Sequence, residues 1–344
     1  MLAGPMDGGV EEVPDPVAGP GEAVVEVARV GLCGTDVEFW TGHMPYLDTG
    51  QATYPMRLGH EWTGTVVSVG GGVDPHLVGA RVVGNPMVGC GSCPLCRRGR
   101  PHVCPTRDEV GVRDGRDGAL AEQVCVAADS LHVLPASMDV TLGALVEPAG
   151  NALRAARSSG TGPGDRVLVL GPGTIGLLVA MFLRAAGVDV HLLGRTASSM
   201  AFARELGFSK VWTESDLPDV AFDAVVDAAN AAHLPALAAE VVSPGGRVVL
   251  MGLSSEPSLV DTRRLALRDV TAVGLLSASP AFSDAVAALG EGRIDPRPLV
   301  AATIGLDEVG QALADATVRT AVAAPKLHVD PHILHCPKPI EVTT

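Results

Sequence analysis

Four cysteines, Cys90, Cys93, Cys96 and Cys104, lie in the segment GCGSCPLCRRGRPHVC, separated by two, two and seven residues. Gaps this short let neighbouring thiolates converge on one tetrahedral ion, and Zn²⁺ with four sulfurs is a closed structural site. The interleaved Gly, Pro and Ser offer no periodic face to a helix or strand, so the lobe depends on a metal for its order. A disulfide cluster or an iron–sulfur cluster would draw on the same residues. Structural zinc is the preferred reading, because no export signal accompanies the cysteines. A second set comprises Cys33-Gly34-Thr35-Asp36, Gly59-His60-Glu61 and Glu147-Pro148. A thiolate, an imidazole and a carboxylate make a three-ligand zinc set with one position open to water or substrate. A lone cysteine is more often a small buried hydrophobe, and a lone histidine a structural residue. Together the three point to a metal.

These residues need a scaffold. A chain of 344 residues exceeds one ordinary core, so two domains are expected. Its 47% hydrophobic and 19% charged content is that of a globular protein. The formal charge of −14 argues against nucleic acid and anionic membranes as partners. The opening MLAGPMDGGVEEVPDPV has no basic start and no apolar core, so no signal peptide is expected. The longest apolar run, VLVLGPGTIGLLVAMFL, is broken by Gly-Pro-Gly and is not read as a membrane span. Seven cysteines without such a leader fit a reducing cytoplasm.

Residues 1–150 carry short β-type runs (EAVVEVARVG, WTGTVVSVG, ARVVGNPMVG, AEQVCVAA) punctuated by Gly, Pro and Asp, which suits a small antiparallel barrel. Cys125, within the last run, is expected to be buried. A helix is expected around Asn151–Ser159. Residues 151–284 then alternate strands with helices, the pattern of a parallel doubly wound sheet. From about residue 285 the pattern loosens, and the chain is expected to rejoin the first domain. The ending HILHCPKPIEVTT, with Cys336 incidental in it, reads as a loose tail.

Gly171-x-Gly173-x-x-Gly176 follows VLVL and opens a helix, the context a dinucleotide fingerprint requires. With Thr174 and Ile175 between them, these glycines let backbone and helix N-terminus approach a pyrophosphate. The next strand ends at Gly194, followed by Arg195 and Thr196, where an NAD enzyme usually places an acid. An acid would repel a 2′-phosphate and an arginine would welcome one, so NADP(H) is favoured over NAD(H), with Arg195 merely stacking on adenine or lying in solvent as the other reading.

GHEWTGTVVSVGGGV, the four-cysteine lobe and GPGTIG occur in the order found in zinc-dependent medium-chain alcohol/polyol dehydrogenases, and the chain resembles that family over nearly its whole length. The resemblance implies a GroES-like catalytic barrel, a Rossmann domain and two zinc ions per chain. Cys33 and His60 match the first two catalytic zinc ligands. Glu147 matches the carboxylate of the sorbitol and threonine dehydrogenase branch, and Glu61 the acid that can approach the metal when water leaves. Thr35 matches the hydroxyl that takes the substrate proton, and Asp36 the carboxylate that orients the zinc-bound imidazole. A relay histidine is usual five residues after the catalytic cysteine; this chain has Glu38 there, read as a substitute base, as a partner for a substrate ammonium, or equally as a solvated glutamate in a loop. Gly252 and Leu276 match positions near nicotinamide. Phe39, Trp40, Tyr46 and Tyr54 border the substrate pocket in the family, with barrel-edge packing as the equal reading. The implied function is hydride transfer between NADP(H) and a secondary alcohol or ketone, on a polyol, amino alcohol or (amino)cyclitol, by a homodimer or homotetramer. Its rivals are a zinc-dependent aldehyde reductase and a non-catalytic NADP(H)-binding relative.

Overall fold

The computed structural model describes residues 1–314 and 324–333. Cys336 and the last eleven residues of the tail lie outside them. The strand Glu22–Leu32 is the spine of the first sheet. It pairs antiparallel with Glu61–Val69 on one side. On its other side it pairs with Gln123–Ala127 near its start and with Lys326–Val329 near its end. Arg81–Gly84, Leu131–Val133 and Val300–Ile304 complete seven strands. Val25, Val27, Val30, Trp62, Val82 and Val124 fill the interior. The late strands Val300–Ile304 and Lys326–Val329 therefore belong to the same sheet as the first half of the chain, as the loosened pattern after residue 285 suggests.

The register of this sheet gathers three strand ends. Leu327 is opposite Leu32, and Gly31 is opposite Glu61. The residue after one strand (Cys33), the first of the next (Glu61) and the first of a third (Lys326) thus share one edge.

The second sheet has six parallel strands in the order Val211–Trp212, Asp189–Leu193, Arg166–Leu170, Phe222–Asp227, Val242–Leu250, Thr271–Gly274. The chain order reverses at Arg166–Leu170 beside Phe222–Asp227. Open sheets of this kind take their ligand beyond the carboxyl ends of the strands at that point. Val167, Leu168, Val169 and Leu170 are all buried, as expected of a strand covered on both faces.

The helix expected from Asn151 begins earlier, spanning Val146–Ser158. Pro148 in its first turn forfeits only an N–H that has no intrahelical acceptor. The helix packs on Thr174–Ala185 and Phe282–Gly290. The largest apolar cluster runs from Val83 and Met138 of the barrel side to Leu178 and Phe282 of the nucleotide side, so the two sheets are tied by a common core. Cys125 departs from expectation: it is half-buried, because Val124 and Val126 take the inward positions of a period-two strand. Among the described residues no helix is long and apolar enough to cross a membrane.

Candidate active site and metal centres

Cys33, His60 and Glu61 each bring a ligand atom to within 4.8 Å of the others. Cys33 precedes the helix Gly34–Thr41, an element the sequence reading does not assign. Asp36 begins that helix by accepting from the Cys33 backbone N–H at 2.8 Å. Its other oxygen lies 3.5 Å from His60 Nδ1. This buried carboxylate thus fixes both the turn carrying Cys33 and the face of the imidazole, leaving His60 Nε2 to the cluster. Burial alone would lower the imidazole pKa, but the facing Asp36 charge prevails and holds it well above the usual value. For Asp36 burial opposes ionisation, yet the facing His60 keeps its carboxyl below the usual range.

Glu147, expected among the ligands, does not join the group within 4.8 Å. It is buried, and its Oε1 accepts from Asn151 Nδ2 at 2.8 Å, one helical turn along. Burial first, then the neighbouring Glu61 charge, pushes its carboxyl up to about 7. Glu61 is itself anchored: Lys326 Nζ donates to Glu61 Oε2 at 2.6 Å and to Leu32 O at 2.9 Å. Lys326 and Glu61 are 2% and 1% exposed, so the pair is fully withdrawn from water. Burial would depress the lysine, but the Glu61 and Cys33 charges outweigh it and raise its pKa. Sequence reasoning passed over Lys326; its one signal was rarity, as one of three lysines in the chain.

The donor set fits zinc. A thiolate, an imidazole oriented from behind by a carboxylate, and buried carboxylates sharing a single ammonium are what a divalent cation would neutralise. Thr35 and Glu38 stand three apart on the helix after Cys33, on one face. Glu38 is half-buried, and that burial raises its carboxyl above the ordinary range. Phe39 and Trp40 are buried with Leu2, Met44 and Leu58, and Tyr46 and Tyr54 pack against that cluster. Trp40 also lines a cavity of about 740 Å³ bounded by the N-terminal segment and set apart from the Cys33–His60–Glu61 group.

Cys90, Cys93, Cys96 and Cys104 also converge, with their sulfurs within 4.8 Å of one another. The Cys93 and Cys96 backbone N–H groups donate to the Cys90 and Cys93 sulfurs at 3.3 and 3.4 Å. Such donors stabilise thiolates, and no disulfide joins any of the six described cysteines. The lobe fits a closed four-sulfur zinc site.

The glycine fingerprint lies where a dinucleotide is expected. Gly171 ends the strand with φ +91°. Gly173 caps the helix Thr174–Ala185, in which Thr174 and Ile175 form the first turn. A Cβ on Gly176 would fall 1.9 Å from Gly171 O, so only glycine lets the helix sit this close to the strand. At Gly194 a Cβ would meet Met200 Cγ at 2.7 Å and Pro172 Cγ at 3.0 Å. No acid fits there without displacing Met200 and Pro172. Arg195 is exposed, and the Thr196 hydroxyl caps the next helix by accepting from Ser199 N at 3.2 Å. Gly252 follows the strand Val242–Leu250, and the Leu276 carbonyl accepts from Arg154. Asp227, which sequence reasoning missed, ends its strand at the same edge, and burial pushes its carboxyl up to about 6.

This architecture is shared with known proteins. Residues 19–136 match the alcohol dehydrogenase GroES-like domain, and residues 174–291 match the zinc-binding dehydrogenase domain. A 2-dehydro-3-deoxy-L-galactonate 5-dehydrogenase of Pseudoalteromonas atlantica is 31% identical over 311 residues, 86% of this chain and 88% of that one. Two solved structures superpose closely. A zinc-binding dehydrogenase of Sinorhizobium meliloti bound to NADP has a TM-score of 0.84 at 29% identity, covering 93% of this chain and 94% of that one. An alcohol dehydrogenase of Escherichia coli complexed with NADH has a TM-score of 0.83 at 28% identity, covering 92% and 94%. The chain belongs to the zinc-dependent medium-chain alcohol dehydrogenase family, with a GroES-like barrel joined to a Rossmann sheet. It is an oxidoreductase that uses a nicotinamide cofactor to interconvert secondary alcohols and ketones.

Proposed function

We propose that Cys33, His60 and Glu61 hold the catalytic zinc at rest, that Glu147 is the carboxylate at the open position, and that NADP(H) is the preferred cofactor. This exchanges the roles that the family resemblance gives to the two glutamates. What supports the exchange is the convergence of Cys33, His60 and Glu61, with Glu147 held off by Asn151. When bound, zinc supplies Lewis acidity toward an alcohol oxygen, and NADP⁺ supplies the hydride acceptor.

The chain's own residues do the rest. Asp36 keeps His60 in the ligating tautomer. Lys326 holds Glu61 in place against repulsion from Glu147. Thr35 takes the substrate hydroxyl proton and hands it to Glu38, whose carboxyl burial raises above the ordinary range and so makes a stronger base. Buried Glu147, pushed up to about 7, can hold or release a proton beside the substrate. Gly194 and Arg195, with the hydroxyls of Thr196 and Ser199, support binding of a 2′-phosphate.

The substrate proposed is a polyhydroxylated secondary alcohol: a polyol, amino alcohol or (amino)cyclitol. The relative named for 2-dehydro-3-deoxy-L-galactonate supports a polyhydroxylated carbon chain. Cytoplasmic placement fits described cysteines that form no disulfide. The family resemblance carries the expectation of a homodimer or homotetramer, read by sedimentation.

Zinc per chain in wild type and Cys33→Ser tests the reading. Two ions falling to one, with loss of NADP⁺-dependent alcohol oxidation, is the expected result. One ion in both proteins would remove the catalytic metal and the mechanism with it.

A further inference from the structure

The turn after the four-cysteine lobe holds charged side chains that the reaction above does not use. Glu109 and Arg113 are 8% and 7% exposed. The turn is closed by Arg113 N donating to Glu109 O at 2.9 Å. It is pressed onto the segment carrying His60. Ala119 N donates to Gly59 O at 2.8 Å, and a Cβ on Gly111 would lie 2.6 Å from that same oxygen. His60 lies within electrostatic reach of Glu109, and so do Arg107 and Arg113.

These groups are incompletely satisfied. Arg113 Nε lies 3.1 Å from Asp114 Oδ2, but Arg113 Nη1 is buried without a hydrogen-bond partner. Arg107 Nη2 donates to Tyr46 Oη at 2.9 Å, while Arg107 Nε is buried and unpartnered. Glu109 Oε2 is likewise orphaned, and among the described residues no cation pairs with Glu109. A buried arginine with a purely structural role spends its donors on nearby acceptors, because unspent ones are costly. Two guanidinium groups share the turn with Glu109 and with the Asp114 carboxylate beside Arg113, yet each keeps a buried nitrogen that none of these acceptors takes up. The orphaned donors call for a planar oxyanion, and the orphaned Glu109 oxygen calls for a hydroxyl donor beside it.

Resting on the zinc dehydrogenase reading above, we propose that Arg113 and Arg107 bind a carboxylate on the alcohol substrate, so that the enzyme acts on a hydroxy acid of the aldonate type. Tyr46 Oη positions Arg107, and Glu109 accepts from a hydroxyl next to the carboxylate. A phosphate ester would share the guanidinium chemistry, but Glu109 disfavours its second negative charge.

The test is calorimetric binding to the zinc-loaded enzyme–NADPH complex, which needs no turnover. The ligands are aldonates of four to six carbons, the matching alditols and the matching alditol phosphates. At least one aldonate is expected to bind tenfold or more tighter than its alditol and its phosphate. Arg113→Met should collapse that ratio toward one, and Arg113→Lys should restore part of it; Arg107→Met is a second variant should the first not fold. Aldonates binding no tighter than alditols, phosphates binding tightest, or a ratio that survives in Arg113→Met and Arg107→Met would overturn the proposal. Those results would leave the dehydrogenase reading intact, whereas a wild type with one zinc per chain would sink that reading independently.

Discussion

Cofactor choice rests on a small patch, and its size can be worked out. A side chain at Gly194 would have to displace Met200 and Pro172, and Arg195 is the charged group beside it. A hydrogen bond to a charged group contributes about 1.5–3 kcal/mol. Arg195 is solvent-exposed, so screening argues for the lower end. Arg195→Leu should therefore weaken NADP⁺ by about tenfold, the equivalent of about 1.4 kcal/mol. Arg195→Asp adds repulsion of about 1 kcal/mol for a unit charge at ~4 Å in water. The two effects together come to roughly fiftyfold. The assay is kcat/KM for NADP⁺ and NAD⁺ at fixed alcohol, at two ionic strengths, backed by titration of NADPH and NADH fluorescence. NAD⁺ should change by less than twofold in Arg195→Leu, and the NADP⁺ penalty should shrink with salt. If both cofactors weaken equally, or if wild type already prefers NAD⁺, the reasoning from Gly194 and Arg195 is wrong.

Other perturbations read other parts of the site. Lys326→Met leaves Glu61 buried without its ammonium and should cost about 3–5 kcal/mol in urea unfolding; Glu61→Gln/Lys326→Met should cost less than Lys326→Met alone, and equal costs would mean that the pair is not coupled. The Lys326 pKa is raised in the folded state, so its contribution should persist across neutral pH and fade only above the ordinary lysine range. Glu147 is also raised, to about 7, but as a carboxyl it binds more protons folded than unfolded between the ordinary carboxylate range and 7. Zinc-depleted protein should therefore lose Tm as pH rises through that window, and Glu147→Gln should flatten the slope. Gly176→Ala drives a methyl group into Gly171 O, so NADPH fluorescence titration should show at least a tenfold loss of affinity with zinc content intact. Glu38→Gln should lower turnover and shift its pH profile; an unchanged profile would remove Glu38 from the proton path.

Much of this site could be read from the chain because local spacing encodes it. The cysteine lobe and the glycine turn each occupy fewer than twenty consecutive residues, and each geometry is dictated by nearest neighbours. The Glu147–Asn151 contact is a plain i,i+4 helical pair and was within reach of the same reasoning. Lys326 was not, since it meets Glu61 across 265 positions through a strand pairing that no periodic pattern announces. Arg113 and Glu109 were hidden differently: they flank a short turn, and only the close approach of Gly111 to Gly59 shows that this turn lies against the segment carrying His60. The helix Gly34–Thr41 escaped because its start depends on Asp36 reaching back to Cys33.

The Lys326–Val329 strand makes the catalytic charge balance a late event in the life of the chain. Synthesis delivers Cys33, His60, Glu61 and Glu147 long before it delivers the lysine that compensates them, and domains begin to fold as they emerge. A nascent polypeptide halted before residue 326 would have to bury its acids unneutralised or leave the barrel open. A chain that stops short of residue 326 lacks both the ammonium that faces Glu61 and the strand that covers this edge of Glu22–Leu32.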